Sequence, residues 1–396
     1  MTHALTAIKA LANSPLGAAL YAALDTESLL TDAIAVQQIP APTFHEAQRA
    51  AYVVERFEAA RLLDVSQDAL DNVYGRFPGA DPAAPALLVC AHTDTVFPAE
   101  TDLTVRRDDG CVFGPGIGDN SLGVAALLGL IRLWQAAQYR PPVDVWFVAN
   151  TREEGLGNLG GIRAVWERLG QRLGAAIVVE GMALGRVYHV GIAVRRLRVT
   201  CTAPGGHSWT HFGQPSAIHE LILAGSRIVG LTPPTTPRTT FNIGLISGGQ
   251  SVNSLASSAE FYLDLRSEDA ATLAAWESQV CEQISSEHPP GVAFTVEVVG
   301  DRPSGSIAAE HPLVQLASAS LEAIGHQPHL QSGSTDANAL LAAGLPTVTV
   351  GLTTGGNSHR VDEYIEVEPL ADGLWHLALL ATVASQQVVE WSQPGA

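Results

Sequence analysis

Glu153 and Glu154 end an apolar run of strand length, 143–149, and are followed at once by Gly155. In open α/β sheets functional groups collect just beyond the carboxyl ends of strands. Side chains at adjacent positions there point in different directions, so one carboxylate can bind a cation while its neighbour stays free to move a proton. Alone, such a pair is more often a solvated turn between strand and helix. The rest of the chain decides against that. A run at 86–91 ends in His92-Thr93-Asp94, and one at 176–179 ends in Glu180-Gly181. A third, 346–350, leads through Gly355-Gly356-Asn357-Ser358 to His359, and Asp119 stands directly before a helical pattern at 121–138.

Each of these has a plain alternative when taken singly. A lone histidine at a strand end is commonly a surface residue, Asp119 could cap its helix, and Glu180 could be a turn carboxylate. The glycine-rich stretch before Asp119 lacks the Gly-Lys-Ser/Thr ending of a phosphate-binding loop. Together, at the ends of separate strands, they are expected to converge on one sheet edge. Two histidines and three carboxylates suit zinc's preference for nitrogen and oxygen donors. A carboxylate bridging two ions makes a two-metal site, able to polarise a carbonyl and activate a water. Two Zn²⁺ would be balanced by Asp119, Glu154, Glu180 and a bound hydroxide.

The elements that must position these groups read as an α/β fold, mostly a parallel sheet with helices on both faces. Helical patterns at 5–11, 16–39 and 46–63 lead in, with Pro40 and Pro42 as breaks. Strands at 72–76, 86–91, 143–149 and 176–179 alternate with helices at 121–138 and 159–169. From 192 the order changes to strand 192–202, helix 216–229, strands 238–246 and 259–266, helix 270–286 and strand 292–299. That is the split βαβ, ferredoxin-like unit. After a return linker at 301–305, helices at 312–324 and 336–343 and a strand at 346–350 resume the first style. The expected domains are 1–187 and 303–396 together, interrupted by 188–302.

Composition narrows the function classes. The 396 residues are 46% hydrophobic and 16% charged, which allows sizeable cores and two domains. Forty Asp+Glu against 22 Lys+Arg give −18, which argues against nucleic acid or an anionic membrane as partner. The four cysteines, Cys90, Cys111, Cys201 and Cys281, form no paired motif. No segment has a membrane-spanning or signal pattern. A cytoplasmic location is expected.

His92-x-Asp94, Gly118-Asp119-Asn120, Glu153-Glu154-Gly155, Glu180-Gly181 and the late His359 resemble the M20 family of dinuclear zinc peptidases and amidohydrolases, over nearly the whole chain. The resemblance implies a zinc-exopeptidase-like sheet with an inserted lid domain and two Zn²⁺ per chain, with Co²⁺ or Mn²⁺ as substitutes. It implies that His92 and Glu180 hold one ion, Glu154 and His359 the other, and that Asp119 bridges them. Asp94 would orient His92, and Glu153 would be the general base that deprotonates the bridging water and later protonates the leaving amine. In the inserted domain, His207 in Gly205-Gly206-His207-Ser208 looks like the oxyanion-stabilising lid histidine, which in dimeric members reaches the neighbouring subunit's site. Asn253 and Arg266 resemble substrate-contacting residues, Arg266 as the grip on a carboxylate. Gly333 and Thr335, in Gly333-Ser334-Thr335-Asp336, resemble the segment lining the substrate pocket, with Asp336 alternatively a helix cap. Glu180, where other members carry aspartate, leans toward the carboxypeptidase and deacylase branches, whereas Asn120-Ser121-Leu122-Gly123 departs from the common continuation after the bridging aspartate.

The expected activity is hydrolysis of an amide or peptide bond in a small substrate with a free carboxylate. An exopeptidase comes first and an N-acyl-amino-acid deacylase second. A homodimer through the lid is expected by the same likeness. The rivals are a family member that only binds peptides and a protein with one structural metal. Intact Glu153 and a full ligand set argue against both.

Overall fold

The computed structural model describes residues 3–285 and 287–391. It divides into two compact units, one made of the chain up to Gly191 together with the chain from Gly305 onward, the other of Ile192–Ser304. In the first, the strands Val145–Asn150, Ala86–His92, Leu173–Met182 and Thr347–Thr353 lie side by side and parallel. Antiparallel strands flank them, Val73–Phe77 and Leu63–Gln67 on one side and Arg186–Gly191 on the other. Every residue of Ala86–His92, Val145–Asn150 and Thr347–Thr353 is buried. That is why these runs are continuously apolar rather than alternating.

Alternate side chains nevertheless enter different cores. Leu87, Val89, Phe147, Ile177 and Val350 pack with the helices Leu122–Ala136 and Leu370–Trp391. Leu88, Cys90, Trp146, Val148 and Val178 pack with Gly160–Leu169 and Ala337–Ala342. The mostly parallel sheet with helices on both faces is therefore present. Because the four central strands run the same way, their carboxyl ends share one edge, and the candidate ligands lie at or just beyond it.

Several elements differ from expectation. The helical pattern at 16–39 is two helices, Pro15–Ala22 and Thr26–Gln37, with Asp25 capping the second by accepting from Ser28 N. The strand ending at Glu180 runs on to Met182, because Gly351 and Thr353 continue to pair with Glu180 and Met182. The segment 188–191, expected in the inserted domain, completes Arg186–Gly191 and pairs with Thr347–Thr353 and His329–Gly333. The 22-residue helix Leu370–Trp391, the longest here, was not read from the sequence. Among the described residues no helix is long and apolar enough to cross a membrane.

That helix carries an acid-sensitive contact. Ser320 Oγ donates to the carbonyl of Ala317 (2.9 Å) and so accepts from His376 Nδ1 (2.8 Å). His376 Nε2 then bears no hydrogen and is buried without a hydrogen-bond partner among the described residues. Burial, then the nearby His326, push its pKa down to about 3, against roughly 6.5 for an unfolded histidine. Between those values the folded chain binds one proton fewer than the unfolded one. The stabilisation is complete above the upper value and is lost as pH falls through the window, by about 2 kcal/mol between 6.5 and 5. In His376→Asn the Nδ2–H₂ replaces the donor without titrating. Urea midpoints measured at pH 7 and pH 5 should fall less in this variant than in the wild type; equal falls would remove His376 as the cause.

The second unit is a four-stranded antiparallel sheet in the order Thr239–Gly248, Ser258–Ser267, Ala193–Thr202, Ala293–Arg302. Two helices, Ala217–Val229 and Ala270–Ile284, close its core around Leu197, Val199, Phe261, Leu263 and Trp276. Strict alternation of burial along Ser258–Ser267 marks one covered face. The order and alternation are those of the ferredoxin-like unit. Ser286, the expected end of the second helix, lies outside the described residues, as do positions 1–2 and 392–396 of the expected outer domain.

Candidate metal centre

His92 ends its strand and is almost wholly buried. Its Nε2 lies 3.2 Å from Asp119 Oδ1 and 3.7 Å from Glu180 Oε2. His359, in the left-handed region at φ 66° and more than half exposed at its side chain, sets Nε2 3.2 Å from Asp119 Oδ2 and 3.1 Å from Glu154 Oε1. Asp119 thus turns one oxygen to each imidazole. Two groups of donors follow, His92 with Asp119 and Glu180, and Asp119 with Glu154 and His359, each with its atoms within 4.8 Å of one another. A third such group, His92, Glu153 and Glu154, brings Glu153 to the same place.

The electrostatics of this cluster fit divalent cations. Burial, then the charge of Asp119, push Glu154 up to about 7. Burial also pushes Glu180 up to about 7, against the opposing pull of His92. Asp119 has the opposite fate: burial raises it, but the two histidines outweigh that and hold it well below the usual carboxylate range. Hydrogen bonds to Asp119 and Glu154 raise His359 to about 10. Carboxylates this crowded and this dry need positive charge between them, supplied by protons or by metal ions. The all-nitrogen-and-oxygen donor set matches zinc and its neighbours.

Asp94 holds more of the site than its expected role behind His92. The nearest contact to His92 Nδ1 is the backbone carbonyl of Asp94 (3.1 Å); the carboxylate Oδ1 is 3.6 Å away. The fully buried carboxylate accepts from the backbone N–H of Glu153 and of Glu154, both at 2.9 Å, and from Thr43 Oγ1 at 2.9 Å. One side chain therefore fixes the strand end that presents both glutamates. Glu46, buried, accepts from Arg152 N and Phe44 N and supports the same turn from the other side. Arg49, also buried, donates to the carbonyl of Thr93.

Glu363 ties the His359 loop to the bridging residue. Its Oε1 accepts from the N–H of Gly118 (2.8 Å) and of Asp119 (2.9 Å). Asn120, joined to Asp119 by a cis peptide, donates to Val179 O and accepts from Gly181 N, which locks Asp119 against the Glu180 strand. Sequence reading missed Thr43, Glu46, Glu363 and the locking role of Asn120. Only Asn120, adjacent to the aspartate, offered a local signal.

The remaining sequence candidates fall in two groups. Thr335, in the first unit, bonds Thr349 Oγ1 (3.1 Å) and accepts from Ala337 N, so the side-chain cap of the following helix is Thr335 rather than Asp336. Asp336 is instead fully buried and accepts from Asn150 Nδ2 at 2.7 Å. At Gly333 a Cβ would come within 2.8 Å of the Tyr188 ring, so the position has no room for a side chain. In the second unit, the short strands Gly206–His207 and Ser254–Leu255 pair and bring Asn253 beside His207; Asn253 O accepts from Ser208 N. His207 Nδ1 accepts from Trp209 N and Thr210 N, which leaves the ring hydrogen on the exposed Nε2. Arg266 bonds Asp264 through Nε (2.6 Å). It lies at the far end of Ser258–Ser267 from the His207 hairpin, eight residues or roughly 27 Å along the strand.

Comparison with known proteins gives this geometry its context. The chain is 26% identical over 349 residues to a succinyl-diaminopimelate desuccinylase of Gluconacetobacter diazotrophicus, covering 78% of this chain and 86% of that protein. It is 26% identical over 302 residues to an acetylornithine deacetylase of Klebsiella pneumoniae, covering 72% and 76%. In fold it is similar to a tripeptidase from Staphylococcus aureus, with TM-score 0.75, 21% identity and 92% and 99% of the two chains covered. Residues 88–382, which include every candidate ligand, match the model of peptidase family M20/M25/M40. The chain is a hydrolase of that family, with the mixed α/β architecture its relatives share.

Proposed function

We propose that the chain hydrolyses the amide bond of small N-acyl amino acids with the aid of two divalent ions, zinc in the first instance and cobalt or manganese as substitutes. The observation that carries this is Asp119, with one oxygen toward each histidine, and near it Glu153, a carboxylate that belongs to neither of the two groups that share Asp119. His92, Asp119 and Glu180 would hold one ion and Asp119, Glu154 and His359 the other. When bound, the pair supplies Lewis-acid polarisation of the scissile carbonyl and an acidified water.

The chain's own residues do the rest. Glu153 takes the proton of the attacking water as its oxygen bonds to the carbonyl carbon, then delivers it to the nitrogen as the C–N bond breaks. Asp94 keeps the Glu153 and Glu154 backbone still, so that the base does not drift from its target. The His207 Nε2–H is a donor suited to the oxyanion, and Arg266 a partner for the substrate carboxylate. Asn253, Gly333 and Thr335 would contact the remainder of the substrate. With roughly 27 Å of strand between Arg266 and the His207 hairpin, one small substrate does not touch both sets in one protomer. That separation supports a homodimer in which a second copy supplies one of them.

Small-peptide cleavage is the second reading, with the same machinery. The curated relatives described above are deacylases, which favours deacylation; the tripeptidase likeness speaks to fold. The deciding measurement is metal content together with turnover on N-acyl amino acids and on free di- and tripeptides, before and after chelation and zinc return. About two ions per chain and chelator-reversible cleavage of the acyl panel are expected. Better turnover of the peptides would replace deacylase by exopeptidase. No tightly bound metal after zinc addition would sink the mechanism.

A further inference from the structure

Asp336 and Asn150 share a buried bond that leaves half of each side chain unused. Both residues are fully buried, and Asn150 Nδ2 donates to Asp336 Oδ2 at 2.7 Å. Their other oxygens, Asp336 Oδ1 and Asn150 Oδ1, are buried as well, and neither has a hydrogen-bond partner among the described residues. Two acceptors of one bonded pair are therefore short of a hydrogen. A carboxylate cannot supply it, because both its oxygens only accept. Ionised, Asp336 would also be a full charge in the interior held by one neutral donor, which is costly. Burial, then the charge of Glu153, push its carboxyl well above the usual carboxylate range, with Glu180 adding to this and His92 and the Asn150 amide opposing it. Bound ions do not reverse that balance. Two Zn²⁺ would be matched by Asp119, Glu154, Glu180 and a hydroxide, and His92 as a ligand would be neutral. A proton on Asp336 Oδ1 answers both orphaned oxygens at once. The acid then donates its O–H to Asn150 Oδ1 while the amide donates to Asp336 Oδ2, a closed pair of two hydrogen bonds with no net charge.

The pair stands where two parts of the site meet. Asn150 ends its strand opposite His92 in the parallel register, and its carbonyl accepts from Thr93 N and Thr93 Oγ1. Asp336 directly follows Thr335 and opens the helix Ala337–Ala342. We propose that Asp336 is an un-ionised carboxylic acid closed on Asn150 by two hydrogen bonds, and that this neutral clasp positions the segment 333–335 against the strand end beside His92. Asp336 is thus a positioning residue that works as a hydrogen-bond donor and not as a charge. The positioning role rests on the hydrolase reading, in which Gly333 and Thr335 contact substrate; the protonation state does not.

Asp336→Asn and Asp336→Ala test it. In the first, an amide N–H takes the place of the acid O–H, and an amide–amide pair keeps both bonds. Alanine keeps neither and leaves Asn150 without its partner. Infrared difference spectra of the zinc-loaded protein at pH 7, wild type minus Asp336→Asn, should show the C=O stretch of an un-ionised carboxyl group, shifted in D₂O. A carboxylate stretch in its place overturns the proposal. On the better of the two substrate panels, Asp336→Ala should lower kcat/KM roughly 10- to 100-fold, chiefly through KM and with metal content unchanged, whereas Asp336→Asn should stay within about threefold of wild type. Equal losses in the two variants would mean that the site uses the acid's charge, which overturns the clasp. Wild-type kinetics in Asp336→Ala overturns the positioning role. Where Asp336→Ala does not fold, the infrared band and the Asp336→Asn rates decide between the same outcomes. A wild type that shows the carboxyl band but hydrolyses neither panel keeps the clasp and overturns the hydrolase.

Discussion

Glu153→Gln is expected to lower turnover by roughly 10³- to 10⁴-fold while metal content stays at the wild-type value. Glutamine has the shape of glutamate but no basic oxygen able to accept the water's proton at neutral pH. The bond from Asp94 to the backbone of residue 153 survives the change, because Asp94 Oδ1 accepts from its backbone N–H rather than from its side chain. Both donor groups that share Asp119 also survive, since neither includes Glu153. The variant therefore separates proton transfer from metal retention. Metal analysis and initial-rate assays on the better of the two substrate panels check it. A variant that keeps its ions and turns over within a few-fold of wild type removes Glu153 from the mechanism. A variant that loses an ion reassigns Glu153 as a ligand, in the group it forms with His92 and Glu154.

The distinction between adjacent glutamates was legible because a chain of alternating apolar runs and polar stops records where strands end. The His92, Glu154 and Glu180 positions were all read from such stops, and the sheet does bring them to one edge. His359 was harder, since eight residues separate it from Val350 and the short pairing of Gly355–Gly356 with Tyr364–Glu366 has no periodic signal. The run at 346–350 and the glycine-rich loop after it pointed to His359, and the family resemblance supplied its expected role as a ligand. What stayed hidden is contact between distant segments. Thr43 reaches Asp94 across 51 positions and Glu363 reaches Gly118 across 245, and a hydrogen bond of that kind leaves no trace in local sequence. The helix Leu370–Trp391 was hidden for a different reason. Of its 22 residues, 16 are buried, so it lacks the polar face that betrays a surface helix. Boundaries slipped where pairing outlasts the apolar run, as at Glu180, whose strand continues because its neighbour does.

Asp119→Ala should remove both ions, whereas His359→Ala should leave about one. The asymmetry follows from the donor geometry. Asp119 gives Oδ1 to the His92 side at 3.2 Å and Oδ2 to the His359 side at 3.2 Å, so deleting its carboxylate strips a ligand from both groups at once. It also leaves Glu154 and Glu180, both already pushed toward protonation by burial, as partial sites with one histidine each. Loss of a single carboxylate from a site held by three protein ligands weakens binding severely. His359 serves one group alone, and its side chain is the most exposed of the set, so its loss leaves His92, Asp119 and Glu180 as they were. Metal stoichiometry after dialysis against trace zinc, measured on the two variants and the wild type, gives the answer without any assay of activity. Values near zero, one and two ions establish a shared carboxylate between two sites. Equal occupancy in the two variants would mean that Asp119 serves one ion only, and that the second oxygen answers to His359 as an ordinary hydrogen-bond partner.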